Sequence, residues 1–509
     1  MSWLFFAANH LKTAKTLTER LRRRMNSQEQ LPAASTNLVN PPSLANGTHF
    51  TEPQALAAFE KPLFPLTRLA PAAQIWNKVS AIGALAPGMN STEASLAPSP
   101  SLTPAVQMNA KVSAIGIVIK VLSLGCVLAI ALPRAQSLDK DGSPEKSLLG
   151  SVLRVSFEED KKLRTVTGEL VASDPTMGQL ILDSDGQLTV IAPNELKRAE
   201  ELSTPLVPTP AKELAAKVLA IMPQGSRSIV TEHFVVCYNT SDVYARWNSD
   251  LYERLFKGFY RFWKEKGVEL TSPRFPLVAV VFETKDDYIR FASKEFAGAE
   301  NTIGYFHQST NRLASYDLTG IEGLIPPKAQ VMRAELINQI VLRPQAERLI
   351  ATIVHEACHQ ISFNSGLQIR LGDSPFWLSE GLATFFESPD LTSQNGWGGV
   401  GKLNKHNYMN LANYLPSRSS ESLELLLLDD NRLRTAETMS SSYAEAWGLT
   451  YYLIKSKPKQ FVSYMESIRD KPPGSRTSPK QRVELFRQCF GEDLSKLDKD
   501  FIRFMQKLR

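Results

Sequence analysis

His355-Glu356-Ala357-Cys358-His359 is the feature that most constrains this chain. Two histidines four residues apart share one face only if the backbone is helical, and then both imidazoles can reach a single ion. The flanking pattern supports that helix, because Ile350, Ile353, Val354, Ala357 and Ile361 fall on one apolar face. Histidine is scarce, 7 in 509 residues, so a paired HExxH is a strong departure from background. Cys358 points away from the histidine face and reads as a small buried side chain.

A catalytic zinc wants three protein ligands and one open position. The third is available in Pro375-Phe376-Trp377-Leu378-Ser379-Glu380-Gly381-Leu382-Ala383-Thr384-Phe385-Phe386-Glu387. Ser374 is expected to cap this second helix and Pro375 to open its first turn, which places Glu380 where a carboxylate can complete the site. Asp373, Glu387 and Asp390 are the alternatives should Glu380 not ligate. Glu387, two turns on, can orient a ligand histidine or serve packing. Arg370 and Asp373, between the helices, form a structural pair or meet substrate.

Trp377-Leu378-Ser379-Glu380-Gly381-Leu382-Ala383 matches, position by position, the WLxEGxA segment that gluzincin metallopeptidases pair with HExxH. The chain therefore resembles the gluzincin clan. The stretch from His355 to Pro389 is also similar to an uncharacterised bacterial family of gluzincin-like proteins of unknown function. That similarity runs from about residue 160 to the C-terminus and is strongest over 350–390. A metzincin would need Gly and His farther along the first helix, where Ser362 and Ser365 stand. The resemblance implies a zincin-like fold and a zinc site of His355, His359 and Glu380. No GxMEN-type segment precedes the first helix, the element with which gluzincin aminopeptidases grip a substrate amino terminus. An endopeptidase is expected instead.

The chemistry implied is metal-assisted hydrolysis. Zinc lowers the pKa of its water toward ~7 and polarises a carbonyl, and Glu356 is placed to act as general base. An oxyanion needs a further donor. The resemblance makes Tyr443, in SSYAEAWGLTYYL, the first choice, because related zincins carry a Tyr in a later helix, with packing beside Trp447 as its structural reading; Tyr305 and His307 are weaker choices. His233 and His406 lack metal-like spacing.

The rest of the chain sets the context. Residues 1–107 are rich in Pro, Ser, Ala and Asn without periodicity, as in disordered sequence or a mis-assigned start. Residues 108–137 have a short basic lead, an apolar run to Leu132, then Pro133 and Ala135. This is the layout of a signal peptide opening at Met108, or of a membrane anchor over 112–132. Either reading puts the body outside the cytoplasm, exported or anchored. Residues 1–137 hold 12 of the 58 basic and 5 of the 52 acidic side chains, so the body is near neutral and no nucleic-acid footprint is expected. Four cysteines, one of them Cys126 in the apolar run, rule out a disulfide scaffold; Cys237–Cys489 is the conceivable pair.

Residues 138–224 alternate as a small β-rich module of three strands, with a turn at Asp183-Ser184-Asp185-Gly186 and two short helices after them. Residues 225–399 mix strands and helices as an α+β metallopeptidase domain, and 400–509 read as a helical C-terminal subdomain. The expectation is an exported zinc peptidase acting on protein or peptide substrates. The alternative is a non-catalytic envelope protein of the same fold that binds peptide or glycan.

Overall fold

The N-terminal sheet is built from β1 (Val152–Glu159), β2 (Lys162–Asp174), β3 (Gly178–Asp183), β4 (Leu188–Ile191) and β5 (Leu196–Leu202). They pair in the order β4-β3-β2-β1-β5, every pair antiparallel. The β1–β2 connection is the two-residue Asp160-Lys161, both at positive φ (50° and 63°), the backbone that lets a tight hairpin follow the strand twist. The turn expected at Asp183–Gly186 forms. The Asp183 carboxylate accepts the N–H groups of Asp185 and Gln187, both at 2.9 Å, and Gly186 sits at φ 77°. A Cβ on Gly186 would come within 2.8 Å of the Phe275 ring, which packs there with Leu180, Leu182 and Leu188.

The structure is a computed structural model that describes residues 148–317, 319, 334–341, 343–388 and 399–508. Segments 1–107 and 108–137, with Cys126, and also Asp390, lie outside the described residues. No helix among the described residues is long and apolar enough to cross a membrane.

Two expectations for the module are corrected. It has five strands, and one helix follows them, α1 (Ala211–Leu219). The segment LKRAEEL has helix-favouring residues yet forms β5, because β1 offers it a ladder from Val152↔Leu202 to Phe157↔Leu196 and its charges stay in solvent.

The second sheet holds β6 (Arg227–Val230), β7 (Phe234–Tyr238), β8 (Leu277–Phe282), β9 (Gly304–His307) and β10 (Arg312–Tyr316), ordered β6-β7-β8-β10-β9. The stretch expected as one strand, SIVTEHFVVCYN, is the β6–β7 hairpin. β8 lies parallel to β7 and β10, and all six of its residues are buried. Both faces are therefore covered, as a parallel strand requires. Leu277, Ala279 and Val281 join the core beneath α2 (Asp242–Glu265) and α5 (Pro344–Asn364); Val278, Val280 and Phe282 join that beneath α1 and α3 (Lys285–Ala292). β9 is the antiparallel edge strand.

The remaining helices are α4 (Ala334–Val341), α6 (Phe376–Phe386), α7 (Lys405–Tyr414), α8 (Ser422–Leu428), α9 (Ala436–Ser456), α10 (Pro458–Arg469), α11 (Pro479–Phe490) and α12 (Leu494–Lys507). The fold is thus mixed α/β, with sheets toward the N-terminus and helices toward the C-terminus. Cys237, Cys358 and Cys489 are all free, so the conceivable Cys237–Cys489 bridge does not form.

Candidate metal centre

α5 opens with Pro344 at its first position and buries Ile350, Ile353, Val354, Ala357 and Ile361 against α2 and the sheet. Burying that stripe turns His355 and His359 toward α6, each only 2% exposed. Gln360 fixes the helix to the sheet by donating to the carbonyls of Val278 and Asn311, both at 3.0 Å. α6 is buried along its whole length and presents Glu380 to the two histidines. Ser374 does not cap it, contrary to expectation. Pro375 is the N-cap, and the Phe376 N–H donates instead to Asp430 at 3.3 Å.

The three donor groups converge. His355 Nε2 lies 3.1 Å from Glu380 Oε2 and 3.1 Å from His359 Nε2, and His359 Nε2 lies 3.5 Å from Glu380 Oε1. Ligands at 2.0–2.1 Å from a tetrahedral zinc are separated by about 3.3 Å. The other ring nitrogen of His355, Nδ1, is 2.7 Å from Oε2 of Glu387. With Nδ1–H donated to that carboxylate, Nε2 turns a lone pair into the cluster, where a second imidazole nitrogen and a carboxylate already face it. Such a set repels itself unless a cation or extra protons sit between. Glu380 Oε1, fully buried, makes no well-formed hydrogen bond, its approach to His359 Nε2 being 3.5 Å. His355, His359 and Glu380 therefore form a buried group that could bind a metal ion. The local electrostatics agree. Burial alone would lower the His355 pKa, but Glu380 and Glu387 raise it well above the ordinary value. Burial would raise that of Glu380, but the two histidines hold it far below.

Around this cluster stand residues the sequence did not disclose. Asn404, the N-cap of α7, donates to the other oxygen of Glu387 at 2.8 Å, with Asn407 at 3.4 Å. Ser379 Oγ approaches His359 Nδ1 at 3.5 Å. Their link to the ligands comes from chain return, so no local spacing announces it.

Glu356 is 2% exposed. Its Oε2 accepts the Phe306 N–H of β9 at 2.9 Å, and its Oε1 has no partner. Burial raises its pKa above the usual glutamate value, against the lowering pull of the two histidines. Glu356 and His355 line a pocket of about 540 Å³, with Gly304, Thr384, Glu387, His406 and Tyr443 also on its wall. Tyr443, on α9, brings a buried hydroxyl with no well-formed hydrogen bond, which interacts with the Glu380 carboxylate at longer range. Burial and the nearby Glu380 charge raise its pKa well above 10. The weaker choices are engaged elsewhere: Tyr305 donates to Glu295 at 2.7 Å, and His307 Nδ1 accepts the Thr310 N–H at 3.2 Å.

Arg370 and Asp373 do not pair with each other. Arg370 donates to the carbonyls of Gly186 (2.8 Å) and Gln308 (3.1 Å), tying the N-terminal sheet to the β9–β10 turn. Asp373 pairs with Arg482 at 3.1 Å and Lys471 at 3.4 Å. A second acidic grouping, Glu232, His233 and Glu253, is more exposed. There Glu253 hydrogen-bonds Thr231 and His233 across the β6–β7 turn.

Residues 349–474, which span α6, the ligand half of α5 and α9, match a family described as a protein of unknown function (DUF1570). No curated protein matches the chain.

Proposed function

We propose that this chain is a zinc-dependent, gluzincin-like peptidase with a zincin-like fold, exported or anchored with its body outside the cytoplasm, that hydrolyses peptide bonds in protein or peptide substrates. The observation that carries this reading is the state of Glu356. A fully buried carboxylate keeps one oxygen on a backbone N–H and leaves the other without a hydrogen bond, and the residue lines, with His355 of the ligand cluster, the same pocket. Bound by His355, His359 and Glu380, zinc would supply the Lewis acidity that activates water and polarises a carbonyl.

The chain's own residues then have defined tasks. Glu356 Oε1 takes the proton of the attacking water and returns it to the leaving amine, while the Phe306 N–H keeps Oε2 from turning. Tyr443 donates its hydroxyl hydrogen to the carbonyl oxygen as negative charge develops there. Alternation along β9 puts the backbone groups of Gly304 on the same side as those of Phe306, and Gly304 lines the pocket, so an extended substrate in the pocket would meet the strand there. Glu387 keeps His355 in one tautomer. Endopeptidase action is the reading because the sequence has no GxMEN-type segment to grip an amino terminus.

The test is a zinc analysis of the purified chain with a digest of a broad peptide library, repeated for Glu356→Gln. The amide is nearly isosteric and is not a ligand, so zinc should stay while turnover falls by ~10²–10⁴-fold. Equal cleavage by a zinc-loaded Glu356→Gln chain, or no cleavage by the native chain, sinks the peptidase reading.

A further inference from the structure

Arg434 precedes α9. Its guanidinium carbon lies 4.5 Å above the ring of Phe376, one helical turn before Glu380 on α6. Its Nε, Nη1 and Nη2 are all shielded from solvent, and none has a hydrogen-bond partner. The arginines nearby are matched. Arg432 pairs with Glu445 at 3.1 Å, Arg418 with Glu445 and Asp498 at 2.7 and 2.6 Å, and Arg482 with Asp373 and Asp430 at 3.1 and 2.8 Å.

The acidic groups whose charge reaches Arg434 are Asp430, Tyr443 and Glu380. Asp430 is already taken by Arg482 and the Phe376 N–H, and Glu380 by the two histidines. Five N–H donors are therefore left over against the Phe376 ring, one turn before Glu380 on α6. A buried cation without hydrogen bonds is costly, and burial indeed pulls the pKa of this guanidinium downward. A planar fork of donors is the shape that binds a carboxylate through two parallel hydrogen bonds.

We propose that Arg434 is a substrate-binding residue whose guanidinium receives a carboxylate of the substrate beside the His355/His359/Glu380 cluster. The carboxylate comes from a chain terminus or from an acidic side chain. This rests on the reading of the cluster as the reacting centre and adds the substrate class. Because the three nitrogens are shielded, ligand entry must displace the side chains that cover them.

Binding separates the possibilities without turnover. The zinc-loaded full chain is titrated calorimetrically with three probes: N-acetyl-phenylalanine, its neutral amide, and the α-amide of N-acetyl-glutamate. One of the two acids should bind at least ~10-fold more tightly than the neutral amide, the range expected for hydrogen bonds to a charged group. Preference for N-acetyl-phenylalanine identifies a chain terminus as the source, and preference for the glutamate probe identifies a side chain. In Arg434→Gln the preference should fall below ~3-fold, with Arg434→Lys between the two. Repeating the titration on metal-free protein isolates the part due to Arg434 from direct carboxylate binding to zinc. Zinc content should be unchanged in Arg434→Gln and its melting temperature no lower than that of the native chain, since an unmatched buried charge is removed.

Equal affinity for all three probes, or a preference that survives in Arg434→Gln, overturns the assignment. So does a fall in melting temperature together with loss of zinc, which would mark Arg434 as structural. A chain that shows the Arg434-dependent preference yet cleaves nothing overturns the peptidase reading alone. Cleavage with no Arg434-dependent preference overturns this inference alone.

Discussion

Glu387 Oε2 lies 2.7 Å from Nδ1 of His355, although the two residues are 32 apart in sequence. The contact holds the imidazole so that only Nε2 can face the ligand cluster. Its other oxygen is held by Asn404, so the carboxylate cannot swing away. Carboxylates in this position orient the ring and raise its basicity, and their loss costs 10–100-fold in metal affinity. Glu387→Gln should therefore weaken zinc binding by about 10–100-fold in a chelator competition while leaving the fold intact. His355→Ala and Glu380→Ala, which remove ligands, should empty the site under the same conditions. Native affinity in Glu387→Gln would reduce the contact to packing.

Gly381 follows Glu380 where α6 and α9 press together. A Cβ there would meet the Ala446 carbonyl oxygen at 2.7 Å and the Thr450 hydroxyl closer still. The glycine in the WLSEGLA segment thus has a packing cause independent of chemistry. Gly381→Ala should cost about 1–3 kcal/mol in denaturant unfolding, as overpacking does. Because the strain falls next to a ligand, zinc occupancy should fall as well. An unchanged unfolding midpoint would mean that α9 can move aside freely.

What could be read in the sequence follows from how local each signal is. His355 and His359 are one turn apart, and Glu380 sits in a short segment with its own pattern, so the ligand group needed no tertiary knowledge. Glu387 was visible as a residue near the site, but its oxygen acceptors meet Asn404 and Asn407 only after a loop and a new helix. Arg434 carries no signal at all in one dimension. Its meaning comes from Arg482 having taken Asp430. β5 misleads for a related reason: five of its seven residues are exposed and charge-rich, so no period-2 apolar face marks it as a strand. The capping of α6 by a distant Asp430, with Ser374 idle, is the same lesson at a helix end.

Glu253 gives the fold an acid-sensitive point away from the candidate metal centre. One oxygen accepts the Thr231 hydroxyl at 2.6 Å and the His233 N–H at 2.8 Å, and the other lies 2.8 Å from His233 Nδ1. Burial alone would raise its pKa, but these partners lower it below the usual value. A depressed carboxylate pKa adds stability that is complete above the unfolded value of ~4.3 and disappears as pH falls through the folded one. Glu253→Gln should cost about 1–2 kcal/mol at pH 7. As pH falls from 5 through the unfolded value and below it, the native and variant chains should converge. A difference that stays constant over that range would show that the carboxylate's charge contributes nothing.

Tyr443 offers the sharpest division between chemistry and packing. Its ring lies in the core beside α6 and on the pocket wall, while its buried hydroxyl makes no well-formed hydrogen bond and interacts with Glu380 at longer range. A buried hydroxyl whose acceptor, Glu380, lies beyond good hydrogen-bond geometry regains little of its desolvation cost, so a purely structural tyrosine would lose little on change to phenylalanine. Tyr443→Phe should accordingly leave zinc content and the melting temperature nearly unchanged. If the hydroxyl donates to the carbonyl oxygen as charge develops, the same change should lower kcat by about 10²–10³-fold, as loss of one oxyanion donor does. KM should barely move, because the donor acts in the transition state and not on the bound substrate. The measurement is steady-state kinetics on a peptide that the native chain cleaves, with zinc quantified in both samples. A change in KM with kcat preserved would make Tyr443 a binding contact, and no change in either would return it to packing beside Trp447.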